Sequence, residues 1–150
     1  MLVERSMHES WLSNAFLLAD EPGGTAVFVD SGAPLEPLLA AVERERVTPT
    51  HLLITHGHAD HVAGNDELVE RFSLEIVTGP LETGGLKIDA LATPGHSDDG
   101  VSFVVGNLCF SGDAATIVVW SPDYDGKGKA LVRFADGAEA IVGASRIEFG

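Results

Sequence analysis

Apolar residues fall along the chain in short runs, each closed by glycine, proline or aspartate. Trp11 to Ala19 and Thr25 to Asp30 have the length and apolar content of strands, and Glu21-Pro-Gly-Gly24 between them predicts an antiparallel hairpin. Ser31 to Pro34 breaks the pattern. Leu35, Leu38, Leu39 and Val42 then recur at helical spacing, which predicts a helix through about Arg46, with a proline tolerated in its first turn and Thr48-Pro49 beyond its end. Leu52-Leu53-Ile54 reads as a short buried strand, and Val62, Leu68, Val69 and Phe72 predict an amphipathic helix over 62–72. Glu75 to Thr78 and Leu86 to Ala92 follow as strands, with Gly79-Pro80 and Gly84-Gly85 punctuating the loop between them. Gly100 to Val105 and Leu108 to Ser111 form a second expected hairpin through Gly106-Asn107. Ala115 to Trp120 predicts a strand, Pro122 to Ala135 a helix, and Ala138 to Val142 a last strand. Strands grouped with helices in two successive halves predict an α/β sandwich, sheets inside and helices outside.

The chemistry is concentrated directly after the central strand, in His56-Gly-His-Ala-Asp-His61. In an extended segment residues two apart share a side, so His56, His58 and Asp60 can converge, and a turn into a helix brings His61 to the same place. Gly57 and Ala59 keep the intervening side small. Three imidazoles and a carboxylate form a borderline-soft nitrogen and oxygen donor set, which suits zinc or iron better than magnesium or calcium.

A length of 150 residues predicts one domain, 1–150, with a core of useful size. No apolar run reaches the roughly 20 residues of a membrane span, and Met1 to His8 lacks the basic start and apolar stretch of a signal peptide, so the cytoplasm is the expected location. The one cysteine, Cys109, forms no internal disulfide and reads as a buried strand residue. A formal charge of −14 repels phosphate backbones and anionic lipid, so neither nucleic acid nor a membrane surface is an expected partner. A small-molecule substrate is expected, and association into a homo-oligomer is compatible with this composition.

Thr55 to His61 resembles the His-x-His-x-Asp-His signature of the metallo-β-lactamase fold superfamily, and two further stretches match it in order. Thr93-Pro-Gly-His-Ser-Asp-Asp-Gly100 is similar to the third motif and Phe110-Ser-Gly-Asp113 to the fourth. The resemblance implies an αββα sandwich with its C-terminal part shortened and the ligands at one edge of the two sheets. It assigns His56, His58 and His96 to one metal, Asp60 and His61 to a second, and Asp113 to a bridge between them. Asp30, Ser31 and Gly32 resemble the family's Asp-x-Gly strand end, whose aspartate supports the metal loop; a turn-forming aspartate explains them equally well. Ser97, Asp98 and Asp99 are candidates for hydrogen bonds to His96. His8 and His51 are expected to be structural.

The family's fifth motif is a Gly-His near the C-terminus, and here Gly143-Ala-Ser145 stands after the matching strand, with no histidine anywhere beyond His96. One tight zinc and a weaker second metal are therefore expected, with iron or manganese as alternatives. The implied function is a hydrolase of esters or thioesters, similar to hydroxyacylglutathione hydrolases, in which Asp60 both ligates and orients a metal-bound hydroxide. A mononuclear iron oxidoreductase resembling persulfide dioxygenases, using His56, His96 and Asp113, is the second reading. A metal-binding domain without turnover is the third.

Overall fold

The computed structural model describes residues 1–113 together with the backbone of three strands, Ala115–Pro122, Gly128–Phe134 and Glu139–Ala144. A five-stranded sheet is built from β1 (Leu2–Met7), β2 (Asn14–Ala19), β3 (Thr25–Val29), β4 (Thr48–Leu53) and β5 (Glu75–Val77), in that spatial order. The first three strands are antiparallel neighbours, whereas β3, β4 and β5 run parallel. Parallel neighbours need crossovers. These are α1 (Glu36–Glu45) between β3 and β4, and α2 (Ala59–Val62) with α3 (Asn65–Phe72) between β4 and β5. A second, four-stranded antiparallel sheet contains β6 (Leu81–Thr83), β7 (Leu86–Ala92), β8 (Val101–Val105) and β9 (Leu108–Phe110). The strands β10 (Ala115–Pro122), β11 (Gly128–Phe134) and β12 (Glu139–Ala144) form a three-stranded antiparallel meander.

Alternation along the central strands gives the first sheet two buried faces. One face packs Leu17, Phe28 and Leu52 against Leu38 and Val42 of α1 and Leu68 of α3. The other sets Leu18, Val27, Val29 and Leu53 against Ile88, Phe103 and Phe110 of the second sheet. Each fully buried side chain of this size contributes roughly 1.5–3 kcal/mol of transfer free energy. The result is the helix–sheet–sheet part of the expected sandwich, and the mixed α/β class read from the sequence holds. At the end of the sandwich remote from the carboxyl ends of β3 and β4, Asp20 joins the sheets. Its carboxylate accepts the N–H groups of Glu21 and Thr25 at 2.8 Å and of Gly85 at 2.7 Å.

Several local expectations are corrected. The helix expected over Pro122–Ala135 is replaced by the end of β10 and by β11, which pairs with strands on both sides; the segment 123–127 lies outside the described residues. Gly126 and Gly128 disfavour a helix there, while Val132 and Phe134 favour a strand. The single helix expected over 62–72 is two, broken at Ala63-Gly64, where Gly64 N–H bonds the Ser31 carbonyl at 3.1 Å and a Cβ would press on that oxygen. The edge strand β1 and the three-residue β6 carry too little apolar signal to stand out in the sequence. β4 starts at Thr48, so Pro49 lies inside a strand, beside a register shift in the pairing with β3. The β8–β9 hairpin turns as expected, with Gly106 at φ +60°.

Candidate metal centre

The carboxyl ends of the parallel strands β3 and β4 open onto one edge of the sandwich, the usual place for a site in such a sheet. β3 is followed directly by Asp30, a non-glycine residue at φ +56°. β4 ends at Leu53 and is followed by the His56-Gly57-His58 loop, which turns into α2 with His58 at its N-cap. Asp60 and His61 therefore lie on a short helix rather than on a continued extended segment. The helix is seated closely against the β3 end: Ser31 N–H donates to the His61 carbonyl at 2.8 Å, and a Cβ on Gly32 would overlap the Asp60 carbonyl. His96 arrives on the loop between β7 and β8, and Asp113 on the turn after β9, both from the second sheet.

Asp30 organises the buried side of the site. It is 2% exposed, and its Oδ1 accepts Thr55 N–H at 2.8 Å. Its Oδ2 accepts the Thr55 hydroxyl at 2.7 Å and lies 2.7 Å from His61 Nδ1. That bond places the proton on Nδ1 and leaves Nε2, which faces Asp60 and Asp113, as the donor atom. The aspartate of the Asp-Ser-Gly strand end is thus a support of the metal loop, one of the two readings left open by the sequence. Thr55 had no signal of its own. Gly112, at φ +54°, lets the Asp113 turn approach it, because a Cβ there would meet Thr55 Oγ1 at 2.5 Å.

Two groups of donor atoms result, each lying within 4.8 Å of one another: His56, His58 and His96 in one, and His56, His61 and Asp113 in the other. His58 Nδ1 is 3.1 Å from His96 Nε2. Asp113 Oδ2 lies 3.4 Å from His61 Nε2 and 3.5 Å from His96 Nε2, a position between the two groups. Asp60 stands beside the second group, with its Oδ2 3.5 Å from His61 Nε2. All six sequence-derived candidates therefore meet at this edge. His8 and His51 do not join them: His8 stacks on Trp11, and His51 bonds Thr50.

The donor set fits a divalent cation on two grounds. His56 is 3% exposed and its Nε2 is buried with no hydrogen-bond partner among the described residues, a costly arrangement for a polar atom unless something binds it. Burial first, and then the charge of His61, push the His56 pKa down, which keeps a neutral lone pair available. His61 behaves oppositely. Burial lowers its pKa, but the hydrogen bond and charge of Asp30, with the charges of Asp113 and Asp60, outweigh it and leave the net value raised.

Asp99, one of three candidates for a hydrogen bond to His96, reaches instead across to the first loop. Its Oδ2 accepts Gly57 N–H at 2.9 Å, and its Oδ1 accepts the Ser97 hydroxyl. The Ser97 bond foremost, and the Gly57 N–H with it, hold the Asp99 carboxyl below its usual range.

Residues 10–87, just over half of the 150, match the model of the metallo-beta-lactamase superfamily, and the chain belongs to that superfamily. Among curated proteins it is similar to the hydroxyacylglutathione hydrolase of Xylella fastidiosa (strain M12), 35% identical over 109 residues that cover 61% of this chain and 42% of that protein. The hydroxyacylglutathione hydrolase of Mesorhizobium japonicum is 39% identical over 107 residues, 58% of this chain and 41% of that protein. The chain thus aligns with about two fifths of the length of these relatives. Among solved structures, ETHE1 from Myxococcus xanthus matches with a TM-score of 0.65 and 29% identity over 78% of this chain and 59% of that one. TTHA1623 in a di-iron-bound form matches with a TM-score of 0.59 and 23% identity over 80% and 74%, a likeness of fold. The fold and its histidine-rich edge imply divalent-metal binding in this member of the superfamily. No helix among the described residues is long and apolar enough to cross a membrane.

Proposed function

We propose that the protein is a metal-dependent hydrolase of a small ester or thioester. The observation that carries this reading is the pair of donor groups that share His56, whose buried Nε2 has no hydrogen-bond partner among the described residues. His56, His58 and His96 would hold the tighter cation, and Asp60, His61 and Asp113 would hold a weaker second one. A divalent cation held there supplies Lewis acidity to a carbonyl oxygen and lowers the pKa of bound water towards neutrality. The chain's own part is orientation. Asp30 fixes the tautomer of His61, and Asp60, beside His61 Nε2, would accept a hydrogen bond from a water bound there and orient it. The similarity to hydroxyacylglutathione hydrolases supports a thioester among the substrates. Zinc is the expected ion.

Beyond the shared His56, the second group has one imidazole among the described residues and the first has two, so affinity would fall first at the second. Elemental analysis of the purified protein should give one retained metal per chain, and titration with zinc or manganese should add a second at higher concentration. Cleavage of generic thioesters and lactones should rise over that second range. Two equally tight metals, or no cleavage at any metal loading, would overturn this account.

A mononuclear iron oxidoreductase resembling persulfide dioxygenases is the second reading. His96 Nε2 lies 3.5 Å from Asp113 Oδ2, and the His56 and His96 rings are 5.0 Å apart, a placement that suits a His-His-Asp iron set. The likeness to ETHE1 from Myxococcus xanthus is compatible with it. Protein purified without added metal separates the two: iron with oxygen uptake, or zinc with thioester cleavage.

A further inference from the structure

His58 and His96 come from different sheets and are 38 residues apart, yet their ring nitrogens stand 3.1 Å from each other. Both side chains are exposed, and their rings touch only each other and the His56 ring among the aromatic contacts of the described residues, outside both hydrophobic clusters. Their spacing depends on how the two loops are joined. One join is backbone to backbone, from Val101 N–H to the Thr55 carbonyl at 2.8 Å, and any residue could make it. The other depends on a side chain: Asp99 Oδ2 accepts the N–H of Gly57, the residue between His56 and His58, at 2.9 Å. The Ser97 hydroxyl on Oδ1 fixes the rotation of that carboxylate. A Cβ on Gly57 would come 3.1 Å from Asp99 Oδ2, so the glycine leaves room for the approach.

We propose that Asp99 is a positioning residue that latches the His96 loop onto the His56–His58 loop and presets the spacing of the first donor group. The inference rests on reading that group as a metal site. A cation then meets donors already gathered, and little of its binding free energy goes into closing the loops. Asp99 is exposed and outside both hydrophobic clusters, so its replacement leaves the core intact.

The test is titration of the metal-free full chain with zinc against a competing chelator, with the metal-free melting temperature measured in parallel. Asp99→Ala should weaken the tight site by about tenfold, the lower end for residues that orient a metal's ligands, without moving that melting temperature. Asp99→Asn keeps an oxygen that accepts the Gly57 N–H but removes the charge, and it should stay within about threefold of the parent. Asp98→Ala, a loss of the neighbouring carboxylate, should also stay close to the parent. Asp99→Asn as weak as Asp99→Ala would make the effect one of charge and overturn the latch. So would parental affinity in Asp99→Ala, or a lowered metal-free melting temperature with unchanged affinity. His56→Ala, run alongside, tells the two failures apart. Zinc lost in His56→Ala but kept in Asp99→Ala removes the latch alone, whereas zinc kept in both removes the metal site as well.

Discussion

Replacing Asp30 by asparagine tests the buried side of the site at a single atom. Asparagine has the same shape and tolerates the left-handed backbone at φ +56° at least as well as aspartate, so the fold is not the variable. Its amide oxygen can take the place of Oδ1 and keep the Thr55 N–H, which puts an NH2 group where Oδ2 faces the Thr55 hydroxyl and His61 Nδ1, both now at 2.7 Å. An NH2 group cannot accept. His61 must then carry its proton on Nε2, and that nitrogen ceases to be a metal donor. Hydrogen bonds to a charged group are worth roughly 1.5–3 kcal/mol and neutral ones about 0.5–1.5, so exchanging three of them costs on the order of 3 kcal/mol. At about 2–4 °C per kcal/mol for a domain of this size, the metal-free protein should melt roughly 6–12 °C lower. Thermal melts after chelation check the first figure. Calorimetric titration should then show the weaker metal lost and the tighter one retained, and nitrogen NMR of His61 should show the exchanged tautomer. Parental melting and two unaltered binding steps would refute the reasoning.

Chelation of the parent should lower its melting temperature, because the free energy of a ligand bound only by the folded state adds to stability. His58→Ala should cut metal content more than His8→Ala or His51→Ala; equal losses would mean that the ligands are assigned wrongly. The raised pKa of His61 gives the metal-free and metal-loaded forms opposite pH trends. In the metal-free form, the contribution of the His61–Asp30 pair is fully present below the ordinary histidine value of about 6.5 and is lost as pH rises through the higher folded value. Uptake of the second metal strengthens over the same rise, since a protonated His61 cannot ligate, so melting curves and zinc titrations across that window should diverge. Gly32→Ala should cost about 3 kcal/mol, because its Cβ overlaps the backbone of Asp60, whereas Gly79→Ala, with open space around it, should melt like the parent.

The part of the site legible in sequence is the part written locally. His56 to His61 carry their ligand chemistry in spacing alone, and the single residues His96 and Asp113 gained meaning from the short motifs around them. What the sequence did not disclose depends on contacts between distant segments. The bond from Gly57 to Asp99 spans 42 residues, and nothing in Ser-Asp-Asp-Gly distinguishes Asp99 from a solvated turn residue until the two loops are side by side. Thr55 is similar: its hydroxyl matters only because Asp30 lies on the adjacent parallel strand. The misread helix over Pro122–Ala135 is a failure of a different kind. Its local propensity is mixed, and strand partners on both sides of β11 decide its state.

The two faces of the first sheet draw on different lengths of the chain. Every residue of the helix-side core lies at or before Leu74, and so do Asp30, Thr55 and His61. A nascent chain reaching Val77 therefore holds all that it needs for one face and for the buried half of the site. The opposite face, with Leu18, Val27, Val29 and Leu53, stays uncovered until Leu86 to Phe110 have been made. A fragment ending at Val77 should accordingly be helical but prone to self-association and dye binding through that face, and a clean monomer that binds no hydrophobic dye would contradict this order of assembly. The last donors along the chain, His96 and Asp113, belong to the segment whose sheet covers that surface, so covering it and completing the donor groups call on the same stretch of sequence.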